Sequence, residues 1–369
     1  MLTVNPPKRF LFGPGPTQVA DRVYDAMRQP IVGHLDPYFF EVVQDIQKGL
    51  RTAYGTANDF TMAISGTGSA GMEAAISNFA EPGTKFLVFN AGYFADRMVD
   101  MGARHGAQVV RADKPWGEWF TDEEVREIIL REQPATVGFV HAETSTGVLQ
   151  DGAAICKAAH EIGALVISDC VTSLGALHIG VDDMGIDVAY SCTQKGMSCP
   201  PGLSPITVSP RAMERLRART TTPDIWYLDL KLLDTYYGQA HRYHHTAPIT
   251  TFYALKEGLA LMNEEGLDKR IARHLDMHGK FVAEVESMGL KMNVPDASRR
   301  IPNLNTIVIP EGVDDLATRK RLLNDYGIEI SGGFGPLAGK IFRVGIMGPL
   351  ATDEKLAFFF DAFKKVLGK

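Results

Sequence analysis

Short apolar runs alternate with longer amphipathic stretches over the first two thirds of the chain. FTMAIS (60–65) leads into SAGMEAAISNFA, and KFLVFN (85–90) leads into FADRMVDMGARHG. TVGFVHAE (136–143) leads, after a turn, into ICKAAHEIG. ALVISD (164–169), DVAYSC (187–192) and PITVSP (205–210) follow. Apolar runs this short read as buried strands, and the stretches between them carry the three-to-four spacing of helices. Strand, helix, strand in this order requires crossover connections. The pattern therefore predicts an α/β fold whose mostly parallel central sheet is covered on both faces.

The ends of the chain read differently. Residues 1–20 are rich in Gly and Pro (FGPGPTQV) and predict an extended arm and turn outside the core. The pattern over 22–57 is helical, and 250–277 reads as one long helix. Beyond it, KFVAEVESMG, RKRLLNDYG and DEKLAFFFDAFKKVL are helical, while NLNTIVIP and GKIFRVGIM are strand-like. This predicts an arm over 1–20, a large domain over 21–260 and a smaller C-terminal α+β domain over 261–369.

Composition narrows the function. With 369 residues, 45% of them hydrophobic, the chain can bury the cores of two domains. The net charge of −6 and the lack of any long Lys/Arg run give nucleic acid no long-range attraction. An anionic ligand must instead be held by single placed cations and backbone N–H groups. No apolar run reaches the length of a membrane span, the start MLTVNPP lacks signal-peptide character, and VLGK is no peroxisomal address. Cys156, Cys170, Cys192 and Cys199 form no CxxC pair, which suits reduced thiols of a cytoplasmic protein.

Sheets of this kind bind ligands beyond the carboxyl ends of their strands, so the polar residues there are the candidates. Ser65-Gly66-Thr67-Gly68-Ser69-Ala70-Gly71 lies between a strand and a helix. It reads as a tight turn or as an anion cradle of free helix N–H groups. The spacing Gly66-x-Gly68-x-x-Gly71 also matches a dinucleotide fingerprint. That motif needs an acid about 20 positions on, at the end of the next strand, and this strand ends at Asn90. An NAD-dependent oxidoreductase is thus the weaker reading. Asp169 closes a hydrophobic strand, as a helix cap or as a carboxylate facing a cationic ligand atom. Lys195 sits in SCTQKGMSCPPG without an adjacent acid, as a solvated surface charge or as an amine stripped of water and easily deprotonated. Arg343, in IFRVGIM, is a structural pair or a fork for a carboxylate. Taken together, an anion turn, an Asp and a Lys one crossover apart fit pyridoxal 5'-phosphate. The amine meets the aldehyde, the Asp keeps the pyridine nitrogen protonated and the turn holds the phosphate.

Seven landmarks carry a family resemblance: FGPGPT (12–17), SGTGSAGMEAA (65–75), ETSTGVLQ (143–150), SDCVTSLG (168–175), SCTQKGMSCPPG (191–202), YHHTAP (243–248) and GPLAGKIFRVG (335–345). In this order, nearly end to end, the sequence resembles the alanine–glyoxylate and serine–glyoxylate aminotransferases, class V enzymes of fold type I. The resemblance implies that Lys195 is the Schiff-base lysine and proton shuttle. It implies that Asp169 pairs with the pyridinium nitrogen, that Val171 packs under the ring and that Phe94 stacks on its other face. Relatives often carry Trp at the position of Phe94. Thr67, Gly68, Ser69 and Gln194 would hold the phosphate, with Ser69 standing where the family often has His. Ser145, beside Thr144, would bond near the ring hydroxyl. Tyr243 and Thr246 would reach the phosphate of a partner subunit, which implies a homodimer with shared sites. Arg343 would bind the substrate α-carboxylate.

The implied reaction is a ping-pong transfer from a small amino acid, alanine or serine, to a small 2-oxo acid, glyoxylate. Aspartate, an aminophosphonate or ureidoglycine are alternative donors. A cysteine desulfurase would need a mobile catalytic Cys, usually from the small domain, and no Cys lies beyond residue 199. The pair His244-His245 reads as subunit contact or hydrogen-bonded structure, since adjacent histidines without acids or cysteines rarely close a metal site.

Overall fold

A computed structural model describes residues 3–369. A seven-stranded sheet organises the larger part, built from β1 (Phe60–Ser65), β2 (Lys85–Asn90), β3 (Gln108–Asp113), β4 (Thr136–Val140), β5 (Leu165–Asp169), β6 (Val188–Tyr190) and β7 (Leu203–Val208). Their spatial order is β1-β7-β6-β5-β4-β2-β3. β7 runs antiparallel to both its neighbours, and the other pairings are parallel. The expected α/β architecture with a mostly parallel sheet is therefore what forms. Almost every residue of β1, β2, β4, β5, β6 and β7 is buried, as strands covered on both faces must be.

Local chemistry explains where the pattern misread boundaries. The helical stretch over 22–57 is two helices, Asp21–Met27 and Pro37–Tyr54. Pro30 and Gly33 interrupt it, and Asp36 restarts it by accepting from Tyr38 N, with Pro37 at the first position. The single helix expected over 250–277 is also two, Ile249–Glu265 and Leu267–Ser287. Gly266 between them has φ +85°, a conformation that no right-handed helix contains. β3 carries the mixed run QVVRAD, gives no apolar signal and lies at the sheet edge with half its residues exposed. TVGFVHAE divides into β4 and a two-residue strand, Ala142–Glu143, that turns back on Val148–Leu149.

A second core gathers the C-terminal elements. A three-stranded antiparallel sheet holds Ile341–Gly345 between Leu304–Val308 and Ser331–Gly332. The helices Asp315–Tyr326 and Asp353–Leu367 pack with it, and Phe281, Phe342, Phe359 and Phe363 are fully buried there. The N-terminal arm is not free of core. Phe10–Leu11 pairs with Ile328–Glu329, and Phe12 is buried in this second cluster. Among the described residues no helix is long and apolar enough to cross a membrane.

Six of the seven central strands run the same way, so their carboxyl ends share one rim. The residues closing β1, β2, β4, β5 and β6 are Ser65, Asn90, Val140, Asp169 and Tyr190. The candidate chemistry gathers on that rim.

Candidate active site

Asp169 and Tyr190 end neighbouring parallel strands in register. The Tyr190 hydroxyl donates to Asp169 Oδ2 at 2.9 Å, and the Val171 N–H donates to Oδ1 at 2.8 Å. Asp169 is buried, and burial pushes its carboxyl above the ordinary range. The two hydrogen bonds and the charges of Lys195 and Arg97 pull it back. A buried carboxylate held so awaits a positive partner.

Lys195 follows β6 and is only 7% exposed. Its Nζ donates to the hydroxyls of Thr144 at 2.8 Å and Thr172 at 2.9 Å, which lie 2.5 Å from each other. No carboxylate forms an ion pair with it among the described residues. Burial lowers its pKa; Asp169 and Glu143 oppose that shift, and Arg343 adds to it. The loop is pinned from behind. Arg270 donates to Gly196 O at 2.7 Å and to Gly175 O at 2.9 Å. The arm closes over the lysine stem, where a Cβ on Gly15 would sit 3.2 Å from Lys195 Cγ.

The glycine-rich turn enters a helix, Gly68–Phe79, with Thr67 exposed before it and Gly66 at φ +131°. Thr67 makes no side-chain cap, so the first N–H groups of this helix keep no internal partner. Gly68 allows close packing against the end of β5, because a Cβ there would meet Val171 Cγ2 at 2.9 Å. Ser69 Oγ accepts from Arg97 Nη1 at 2.9 Å. Gln194 Oε1 is buried without a hydrogen-bond partner.

Phe94 lies in the first turn of the helix Tyr93–Arg104, with Lys195 Nζ 5.5 Å from its ring centre. Glu143 fixes that turn. Its Oε2 accepts from the N–H groups of Phe94 at 3.2 Å and Ala95 at 3.3 Å. Its Oε1 accepts from Ser145 N at 3.0 Å and from Ser145 Oγ at 2.6 Å. The Ser145 hydroxyl, expected to face a ligand, is therefore committed to Glu143 and also accepts from Tyr93 N at 3.0 Å.

Arg343 occupies the middle strand of the small sheet and is buried. Its Nε donates to Gly332 O at 2.7 Å and its Nη1 to Thr144 O at 3.3 Å. The guanidinium lies 4.0 Å from the Phe334 ring centre. Burial brings its pKa down to about 10, which still leaves it cationic at neutral pH. Among the described residues Nη2 has no acceptor, so one prong of the fork is free for an anion.

Tyr243 and Thr246 stand apart. Both are exposed, Tyr243 by 58%, and neither hydrogen-bonds to the Lys195 cluster within the chain. The histidines between them pack into the chain, with His244 Nε2 buried and without a hydrogen-bond partner. His244 stacks on Trp226 at 4.1 Å, His244 Nδ1 lies 2.9 Å from His245 Nδ1, and His245 Nε2 lies 2.8 Å from Ser65 Oγ. All four cysteines are free and buried, and burial pushes their thiols up.

Five further residues complete the site without having been singled out in sequence: Thr172, Tyr190, Glu143, Arg97 and Phe334. Thr172 and Tyr190 each lie within three residues or one strand of Asp169, so the strand-end rule reaches them. Glu143, Arg97 and Phe334 join only through tertiary packing and left no local signal.

A buried amine without an acid partner, a buried carboxylate and an uncapped helix start lie together on one rim. Residues 9–342 match the family model "Aminotransferase class-V", and the chain belongs to that family. It is an aminotransferase with the fold type I architecture. A crystal structure of alanine–glyoxylate aminotransferase from Nostoc sp. superposes with a TM-score of 0.98 at 45% identity, over 100% of this chain and 97% of that one. The alanine–glyoxylate aminotransferase of Oryctolagus cuniculus is 36% identical over 98% of this chain and 93% of its own length. The (S)-ureidoglycine–glyoxylate transaminase of Bacillus subtilis is 35% identical, over 98% and 91% respectively.

Proposed function

We propose that this aminotransferase holds pyridoxal phosphate on Lys195 and moves an amino group from alanine or serine to a small 2-oxo acid, glyoxylate. The observation that carries this is Lys195 itself: buried, lowered in pKa and held by two hydroxyls instead of a carboxylate. The surrounding residues fit the cofactor. Gln194 Oε1 is a buried orphan, Gly68 opens a helix whose start carries no side-chain cap, and Asp169 lacks a cation in hydrogen-bond contact. Thr67, Gly68, Ser69 and Gln194 would hold the phosphate, Asp169 the ring nitrogen, and Val171 and Phe94 the ring faces. Thr144 and Ser145 would line its hydroxyl side.

When bound, the cofactor supplies an aldehyde carbon that condenses with amines and a ring that draws electrons from a substrate α-carbon. The chain supplies the rest. Thr144 and Thr172 hold Lys195 Nζ in place, and burial shifts it toward the neutral amine, the form that accepts a proton. Asp169 fixes a buried carboxyl group at the end of β5, held by Tyr190 and Val171. Arg343 offers its free Nη2 to the substrate carboxylate, and the Phe334 ring flanks its guanidinium.

Tyr243 and Thr246 would serve the phosphate site of a second copy, making the working unit a homodimer. The exposure of Trp226, Tyr227 and Tyr243 supports this reading, since grouped exposed aromatics seek a cover. A cytoplasmic setting belongs to the same reading, because four free thiols suit a reducing compartment.

Purified protein is expected to be yellow. Alanine or serine should bleach the visible band, and glyoxylate should restore it. A colourless protein, or a band indifferent to amino acids, would overturn the proposal. Running aspartate, an aminophosphonate and ureidoglycine alongside identifies the donor. The Bacillus subtilis relative makes ureidoglycine the alternative with most support.

Arg343→Ala should raise KM for the amino acid and the keto acid together. A hydrogen bond to a charged group contributes about 1.5–3 kcal/mol, so each KM should rise roughly 10- to 100-fold. An unaltered KM for either substrate would remove Arg343 from the carboxylate site.

A further inference from the structure

Arg97 is a cation with no assigned task. It lies on the helix Tyr93–Arg104, one turn past Phe94. Its guanidinium carbon is 4.9 Å from the Phe94 ring centre and 5.3 Å from that of Tyr93. The acids of its own helix are engaged elsewhere: Asp96 takes Arg111 and the Asn90 amide, and Asp100 takes Arg104. Among the described residues no carboxylate pairs with Arg97. Its sole hydrogen bond goes to Ser69 Oγ at 2.9 Å, in the first turn of the helix Gly68–Phe79.

A guanidinium with donors left over requires acceptors, which water or an anion supplies. The free N–H groups at the start of Gly68–Phe79 face the same requirement. The turn over 66–69 carries no cationic side chain of its own, and Ser69 offers it a hydroxyl.

From these observations we infer that Arg97 is a phosphate-binding residue of this chain, delivering to the cofactor phosphate, beside Ser69, the positive charge that the turn lacks. The inference rests on the reading of Lys195 and the glycine turn as a pyridoxal phosphate site. Cation–π contact with the Phe94 and Tyr93 rings holds the guanidinium beside the turn before an anion arrives. One consequence is discrimination: Arg97 should matter for the phosphorylated aldehyde and be indifferent to its dephosphorylated form.

Equilibrium dialysis of the full-length chain against graded pyridoxal phosphate, and separately against pyridoxal, tests this by the visible absorbance retained. Arg97→Gln should weaken pyridoxal phosphate about 10- to 100-fold and change pyridoxal less than about twofold. Arg97→Lys, which keeps the charge but loses the fork, should recover part of the loss. Added inorganic phosphate should compete with pyridoxal phosphate in the unsubstituted chain and less in Arg97→Gln. The inference is overturned if Arg97→Gln weakens neither ligand. It is equally overturned if Arg97→Gln and Arg97→Lys both weaken the two ligands alike, since Arg97 would then only brace Phe94. Failure of the unsubstituted chain to retain pyridoxal phosphate would be a different result, sinking the cofactor reading and this inference with it.

Discussion

Turnover of Lys195→Ala is expected to fall by at least about 10³-fold, because general acid–base catalysis by a placed side chain contributes about 10²–10⁴-fold and anchoring is lost as well. The fold should survive. Removing the lysine amine leaves Thr144 and Thr172 with each other, their hydroxyls being 2.5 Å apart. Linkage gives the sign of the stability change. The folded pKa of Lys195 is lowered, so between that value and the ordinary lysine value near 10.4 the unfolded chain binds more protons. Across that window the cofactor-free chain gains stability as pH rises. The alanine variant loses this dependence and should be at least as stable at neutral pH. Lys195→Arg should be equally inactive, since a guanidinium does not give up its proton. Steady-state rates and denaturant midpoints measured on both variants decide the matter. Near-normal turnover in either would end the case for Lys195.

How much of this was legible in the chain depends on the range of the interaction. Buried strands announce themselves by apolar runs, and the residue after each run is fixed by chain geometry. Asp169, Lys195 and the turn over 66–69 could therefore be picked out from the sequence as candidates on one rim. Arg343 was readable as a lone cation in an apolar strand. Helix breaks were less legible, because periodicity alone carries across Gly266, whose positive φ ends one helix and starts another. The direction of β7 left no trace, since PITVSP reads the same both ways. Glu143 shows the limit most clearly. It looks like a polar residue in a turn, yet it joins the Phe94 helix to Ser145 and lends its field to Lys195 and Arg343. Only the packing of the helix Tyr93–Arg104 over the Ala142–Glu143 turn creates that role. Arg97 is hidden for the same reason, since its partner Ser69 belongs to another helix.

Asp169→Asn separates charge from shape, since the amide is nearly isosteric and can still accept from the Tyr190 hydroxyl. The carboxylate is buried and pushed up in pKa, which means the folded chain holds its negative charge at a cost. A chain keeps so costly a group where the charge meets a cation, and the cation expected there is the protonated ring nitrogen. A charge-assisted hydrogen bond is worth about 1.5–3 kcal/mol. At about 1.4 kcal/mol per decade, removal of the substrate α-proton should slow roughly 10- to 100-fold, provided the bond tightens as charge builds on the ring. Stopped-flow single turnovers with alanine and with α-deuterated alanine read this step directly. The deuterium effect should grow in Asp169→Asn as proton removal becomes fully limiting. A rate and an isotope effect matching those of the unsubstituted enzyme would assign Asp169 to holding Val171 and Tyr190 in place, with no electronic part in the transfer.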